Sequence, residues 1–178
     1  MLRKEEDIRD EAVRAAAHEV MLAIRTAPKT RGIDNLTVLV ADADEKEQLA
    51  AMMDEIYEKS AGKRPGFTRD AKGVMAASTV ILIGVKAAPF GLDCGYCGYP
   101  TCAEKSKHPG MCVFGPIDLG IGAGVAAARL ADKCVDNRMM FSMGYAALRL
   151  GWFESGTIMA LGFPLSVSGK SPYFDRNK

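Results

Sequence analysis

Several features that would assign this chain quickly are scarce or missing. Of its 178 residues, two are histidine and one is tryptophan. No Ser/His/Asp arrangement, H-E-x-x-H stretch or paired-carboxylate pattern stands out, so no catalytic acid, base or nucleophile is assigned. The formal net charge is only +1, with no basic run, which leaves no electrostatic footprint for nucleic acid. No apolar run approaches the length that spans a bilayer. The opening MLRKEEDIRDE is charged where a secretory signal would be apolar. The expectation is therefore a cytoplasmic protein with neither membrane nor nucleic acid as partner. Internal repeats and low-complexity tracts are absent too. What remains, 48% hydrophobic and 25% charged residues, is an ordinary globular composition. Residues 1–178 are expected to form one domain.

What is abundant is sulfur in one place. Four of the five cysteines fall between Gly91 and Pro116 in GLDCGYCGYPTCAEKSKHPGMCVFGP. Cys94, Cys97, Cys102 and Cys112 follow the spacing C-x2-C-x4-C-x9-C. Thiolates this close in sequence can share a metal. Zinc sites more often use two paired knuckles, whereas iron–sulfur sites use a run of close cysteines with one more distant ligand. A disulfide pair suits a reducing compartment poorly. Gly95 and Gly98 each follow a cysteine, where positive φ lets backbone N–H groups turn toward sulfur. His108, between Cys102 and Cys112, is a substitute ligand, and Lys105 and Lys107 would offset a cluster's charge or simply be solvated. A segment of this length without periodicity, residues 86–116, is uncommon unless it wraps something.

Around that segment the pattern alternates. Apolar residues at helical spacing predict a helix from about Lys4 to Ala27, ended by Pro28. Leu36–Ala41 reads as a strand. Asp44 is placed to cap a helix reaching Ser60, with Leu49, Met52, Met53 and Ile56 on one face. Ala61–Thr68 reads as a loop, Arg69–Ala77 as a brief helix and Thr79–Val85 as a second strand. Beyond the cysteines, Asp118 and Asp136 are expected to cap two helices, the second apolar nearly all round and ending at Gly151, as in a core or a subunit seam. Thr157–Phe163 gives a third strand. Three strands interleaved with helices predict an α+β fold, an α/β sandwich with a central sheet.

Two resemblances follow from these residues. CGYCGYPTC resembles the first three ligands of the ferredoxin-type [4Fe–4S] motif, which implies Cys94, Cys97, Cys102 and Cys112 as metal ligands. The Ala27-Pro28 step, the Leu148-Arg149-Leu150-Gly151 helix end and the strand running into Gly162-Phe163-Pro164 resemble the nitroreductase-like flavoprotein fold. The combination is similar to a prokaryotic family of ferredoxin-domain-containing proteins. The resemblance implies a nitroreductase-like sheet carrying an iron–sulfur loop insertion, a homodimer, and FMN as a second cofactor. On that analogy the tail residues Lys170 and Arg176 are candidate contacts for the flavin phosphate.

Other groups have two readings. Arg25, Lys29 and Arg31 form either an anion site, for FMN or an acidic substrate, or the basic end that a helix dipole favours. Gly120-Ile121-Gly122-Ala123-Gly124 looks like a phosphate cradle but lacks the G-x-G-x-x-G register, so close packing, with the cysteine loop as one candidate neighbour, is preferred. Asp136-Asn137-Arg138 reads as a helix start or as a polar group facing a substrate, Cys134 as a buried inert thiol with a fifth ligand or redox partner as the alternative, and Met139, Met140 and Met143 as core or dimer seam. His18 should face solvent. The function expected is a redox protein passing electrons through one [4Fe–4S] cluster to a partner protein, with flavin-dependent reductase activity if FMN binds. The competing reading is a non-enzymatic, zinc-braced module that binds another protein.

Overall fold

The valine- and isoleucine-rich run Thr79–Lys86 is buried at every position but its last, and the molecule is arranged about it. The computed structural model describes residues 2–174. Arg9–Thr26 (α1) leads to Leu36–Ala41 (β1), Ala43–Lys59 (α2), Pro65–Ala76 (α3) and Thr79–Lys86 (β2). The cysteine segment follows with a short helix, Cys102–Ser106 (α4). Then come Phe114–Asp132 (α5), Asp136–Asn137 (β3), Phe141–Arg149 (α6) and Thr157–Ser166 (β4). The strands form one antiparallel sheet in the order β1-β2-β4-β3.

Because successive strand residues face opposite sides, β2 feeds two cores. Ile81, Ile83 and Val85 join the apolar stripes of α1 and α5, including Val20, Ile24, Leu119 and Ala126. Val80 and Leu82 join Leu49, Met53 and Ile56 of α2, Phe67 and Val74 of α3, and Met143 and Ala146 of α6. The result is the expected α+β sandwich, with helices covering both faces of the sheet. A strand buried on both sides reads as a continuous apolar run, which is how β2 appears in the sequence.

Several boundaries differ from expectation for identifiable reasons. The helix α3 starts at Pro65, a residue suited to a first helical position because its missing N–H is not needed there. The segment expected as loop to Thr68 is therefore partly helical. The helix α2 begins one residue before Asp44, with Asp42 at its cap position. Asp118 does not cap α5; the helix starts at Phe114 and Asp118 is buried inside it. Asp136 is likewise no cap. It and Asn137 pair with Ser166 and Leu165 as a fourth strand, and helix α6 waits until Phe141. The strand β4 runs through Pro164 to Ser166.

Of the three glycines expected to pack, only Gly122 does, and against neighbours other than the cysteine loop. A Cβ on Gly122 would lie 3.1 Å from Leu36 and 3.4 Å from Ile24, while Gly120 and Gly124 face open space. Met140 and Met143 fill the core and Met139 is exposed. Cys134, expected to be buried, is exposed, with φ of 55° just past the end of α5. That is the left-handed position at which helices commonly stop, and it carries the thiol outward rather than into the core.

Candidate metal centre

The segment between β2 and α5 is shaped by its backbone before any sulfur is considered. Gly91, Asp93, Gly95, Gly98 and Gly110 all have positive φ, and the Gly98 N–H closes a turn on the Gly95 carbonyl at 2.9 Å. Thr101 then caps α4, its hydroxyl accepting the Glu104 N–H at 3.1 Å. The signal was in the sequence: Thr101-Cys102-Ala103-Glu104 is the T-x-x-E pattern that begins many helices. Asp93 and Cys102 bind reciprocally. The Cys102 N–H donates to Asp93 Oδ1 at 2.6 Å and the Asp93 N–H donates to Cys102 Sγ at 3.4 Å.

These turns bring Cys94, Cys97, Cys102 and Cys112 to the wall of one small hollow. The rest of the wall is largely apolar, with Pro89, Phe90, Leu92 and Phe114 among its residues. Cys112 is buried and the other three are half-buried. Among the described residues no three His, Cys, Asp or Glu side chains are placed to share a single metal ion; the four thiols stand around the hollow instead. Two features place positive electrostatic potential there. Cys112 lies just before the N-terminus of the 19-residue helix α5, where the backbone dipole favours negative charge. Lys105, on the same wall, is only 6% exposed, its ammonium donating to the carbonyls of His108 at 3.2 Å and Gly110 at 2.8 Å.

His108 is engaged elsewhere. Its ring stacks on Tyr99 with centroids 4.8 Å apart, and Nε2 lies 3.0 Å from Glu104 Oε1. His108, and after it Lys107, hold the Glu104 carboxyl below the usual carboxylate range. At the surface Tyr96, 75% exposed, stacks on Phe114.

Of the basic residues at the end of α1, Arg25 and Lys29 share the Asp34 carboxylate, Lys29 at 3.9 Å, whereas Arg31 turns to the cysteine segment. Arg25 pairs with Asp34 and also donates to the Leu36 carbonyl. Lys29 places its ammonium on the carbonyls of Ile24, Arg25 and Ala27, closing the helix end, and so uses the three protons it has. Arg31, at φ 57°, donates to the Phe90 carbonyl at 2.7 Å and thereby holds the entry to the cysteine segment. Lys170 is exposed in the stretch after β4, and Arg176 lies outside the described residues. Sequence reasoning missed the tie that joins these parts, the buried Asp118 and its bonds to Thr30. No periodicity marks an acid in mid-helix as the partner of a turn so distant in sequence.

A family model described as "Uncharacterized protein containing a ferredoxin domain" (DUF2148) matches residues 108–176, which include Cys112 and begin after the other three cavity cysteines. An "Uncharacterized protein" of Archaeoglobus fulgidus is 39% identical over 185 residues, covering 99% of this chain and 98% of the relative. Among solved structures, a nitroreductase with bound FMN from Desulfitobacterium hafniense shares 14% identity, with a TM-score of 0.57 over 96% of this chain and 81% of that one. An FMN and NADPH-dependent nitroreductase from Sphigopyxis sp. strain HMH shares 10%, with a TM-score of 0.61 over 92% and 83%. At these identities the likeness is one of fold: the sheet and its helices are nitroreductase-like.

Proposed function

Because the chain belongs to the family described as containing a ferredoxin domain, we propose that it is an iron–sulfur redox protein whose [4Fe–4S] cluster is held by Cys94, Cys97, Cys102 and Cys112. The observation that carries this reading is that all four thiols of the C-x2-C-x4-C-x9-C run line one hollow. The donor set suits the group. A four-iron core is bonded at its corners and takes thiolates spaced around a space, whereas tetrahedral zinc takes them at a point. Such a cluster supplies one-electron transfer when bound. The chain's own residues do the rest. The apolar wall of Phe90, Leu92 and Phe114 keeps water from the thiolates. The Asp93 N–H and the Lys105 ammonium offset their charge. Exposed Leu92 and Tyr96 lie beside the hollow, where an electron partner protein would approach.

Among the described residues no helix is long and apolar enough to cross a membrane, and a cytoplasmic setting suits unpaired thiols. FMN is the second cofactor to test, because the fold neighbours just named are an FMN-bound structure and an FMN-dependent enzyme. With Lys29 committed to carbonyls, Arg25 and Arg31 have the N–H groups not used by Asp34, Leu36, Phe90 and Gly91 for its phosphate. Lys170 and Arg176 are the tail candidates, reaching it from the second subunit of a homodimer.

The test is anaerobic purification followed by iron, sulfide, zinc and flavin analysis of one sample. A brown protein with broad absorption near ~400 nm that bleaches on reduction is expected. Cys97→Ala should lose the iron, and Cys134→Ala, whose thiol lies outside the hollow, should keep it. Colourless protein with one zinc per chain would establish the zinc-braced binding module instead.

A further inference from the structure

Tyr145 of α6 has two guanidinium groups over its ring, that of Arg64 at 5.5 Å from the centroid and that of Arg149 at 5.7 Å. Together with Lys59 and Ser60 they line an open cleft of about 220 Å³, completed by Ile56. The cleft lies where the C-termini of α2 and α6 meet the start of α3. That is the layer on the opposite side of the sheet from α1 and α5, away from the thiol hollow.

The charges there are unbalanced. Lys59 pairs with Glu55 one turn back, but neither arginine has a carboxylate partner among the described residues; the contacts of Arg64 are the Tyr145 and Phe67 rings. Helix dipoles account for part of this, since Lys59 and Arg149 sit in the last turns of their helices, where cations are favoured. They do not account for Arg64. It occupies the cap position at the N-terminus of α3, the end that repels a cation, and that helix has no acidic residue in its first turn and no side-chain cap. Ser60 fixes the turn, its hydroxyl donating to the Tyr57 carbonyl and accepting the Arg64 N–H. Arg64 is thus held by its own backbone beside a second arginine, and an anion between them would satisfy both forks and the helix end together.

We propose that this cleft binds a phosphate-bearing small molecule, with Arg64 and Arg149 gripping the phosphate and Tyr145 and Ile56 contacting its carrier. The site stands apart from the cysteine hollow and holds whether or not a cluster binds there.

The experiment is a titration of the full-length protein, followed by amide chemical shifts, with inorganic phosphate and, separately, with ribose 5-phosphate. Saturable shifts at Arg64, Tyr145 and Arg149 are expected. Arg64→Ala/Arg149→Ala should weaken binding at least tenfold without lowering the melting temperature. Arg64→Lys/Arg149→Lys, which keeps the charge and removes the forks, should fall between that variant and wild type, and it serves if the alanine pair fails to fold. Tighter binding of the sugar phosphate assigns an organic carrier, and equal binding assigns phosphate alone. Absence of saturation up to roughly 10 mM, or affinity unchanged in both double variants, overturns the proposal.

Discussion

The buried carboxylate of Asp118 takes three hydrogen bonds from one residue, Thr30: the backbone N–H reaches both oxygens at 3.1 Å and the hydroxyl reaches Oδ1 at 2.9 Å. The neighbouring Arg31 then holds the Phe90 carbonyl. Helix α5, the connection into β1 and the entrance to the cysteine segment are therefore fastened at one spot. Asp118→Ala should cost roughly 3 kcal/mol in urea unfolding, because it leaves the Thr30 donors without a partner. Asp118→Asn keeps one acceptor oxygen and should cost less. A change below about 0.5 kcal/mol for the alanine variant would mean the bonds contribute nothing net.

Lys105 offers a test tied to the proposed cluster. Its ammonium is a buried positive charge on the wall that holds the thiols. Lys105→Met should lower the reduction potential, since adding an electron becomes harder without a nearby cation. The shift should be on the order of tens of millivolts, where 59 mV is tenfold for one electron. Lys107→Met, on the exposed side with Glu104, is the control and should shift it far less. Equal shifts in the two variants would rule out a local effect.

Gly144 is where helix α6 touches the sheet. A Cβ there would stand 2.0 Å from the Ala160 backbone oxygen, which no rotamer change relieves. Gly144→Ala should cost more than about 3 kcal/mol and sharply reduce soluble protein. Gly124→Ala, in an equally helical position but with open space around it, should be neutral or stabilise by up to about 1 kcal/mol. Denaturation midpoints of the two variants read the contrast directly.

Tyr173 carries a pH dependence. Burial, reinforced by the Asp136 carboxylate and opposed by the neighbouring Ser166 hydroxyl, raises its phenol above the ordinary value of 10.0. A raised folded value means the neutral phenol is favoured in the native state. Its contribution is complete below the ordinary value and is lost as pH rises through and beyond it. Wild type should therefore lose stability progressively as pH rises above roughly 10, and Tyr173→Phe should flatten that loss. Parallel curves for the two proteins would exclude the effect.

What the sequence reveals of this fold follows how local each signal is. The strands β1 and β2 are legible because a buried strand needs unbroken apolar residues, and α1 and α2 because their stripes repeat over several turns. Asp136 and Asn137 become a strand only through pairing with Ser166 and Leu165, a contact that nothing within a few residues announces. Asp118 misleads in the same way, since an acid ahead of a helical run resembles a cap until its distant partner Thr30 is known. The four cysteines could be grouped from spacing alone. The buried ammonium of Lys105 and the engagement of His108 by Tyr99 and Glu104 depend on how the loop closes, which spacing does not encode. Arg64 and Arg149 come from separate helices and meet only at Tyr145, so no motif contains them.

The strand order has a consequence for synthesis. Emerging from the ribosome, β2 can pair with β1 at once, but its other neighbour, β4, is translated only after the cysteine segment, α5, β3 and α6. Until then the cysteine segment would hang from a two-stranded ribbon, a unit with little stability of its own. The nascent thiols must therefore wait, exposed to whatever scavenges sulfur, for an element made after them to complete the platform beneath them.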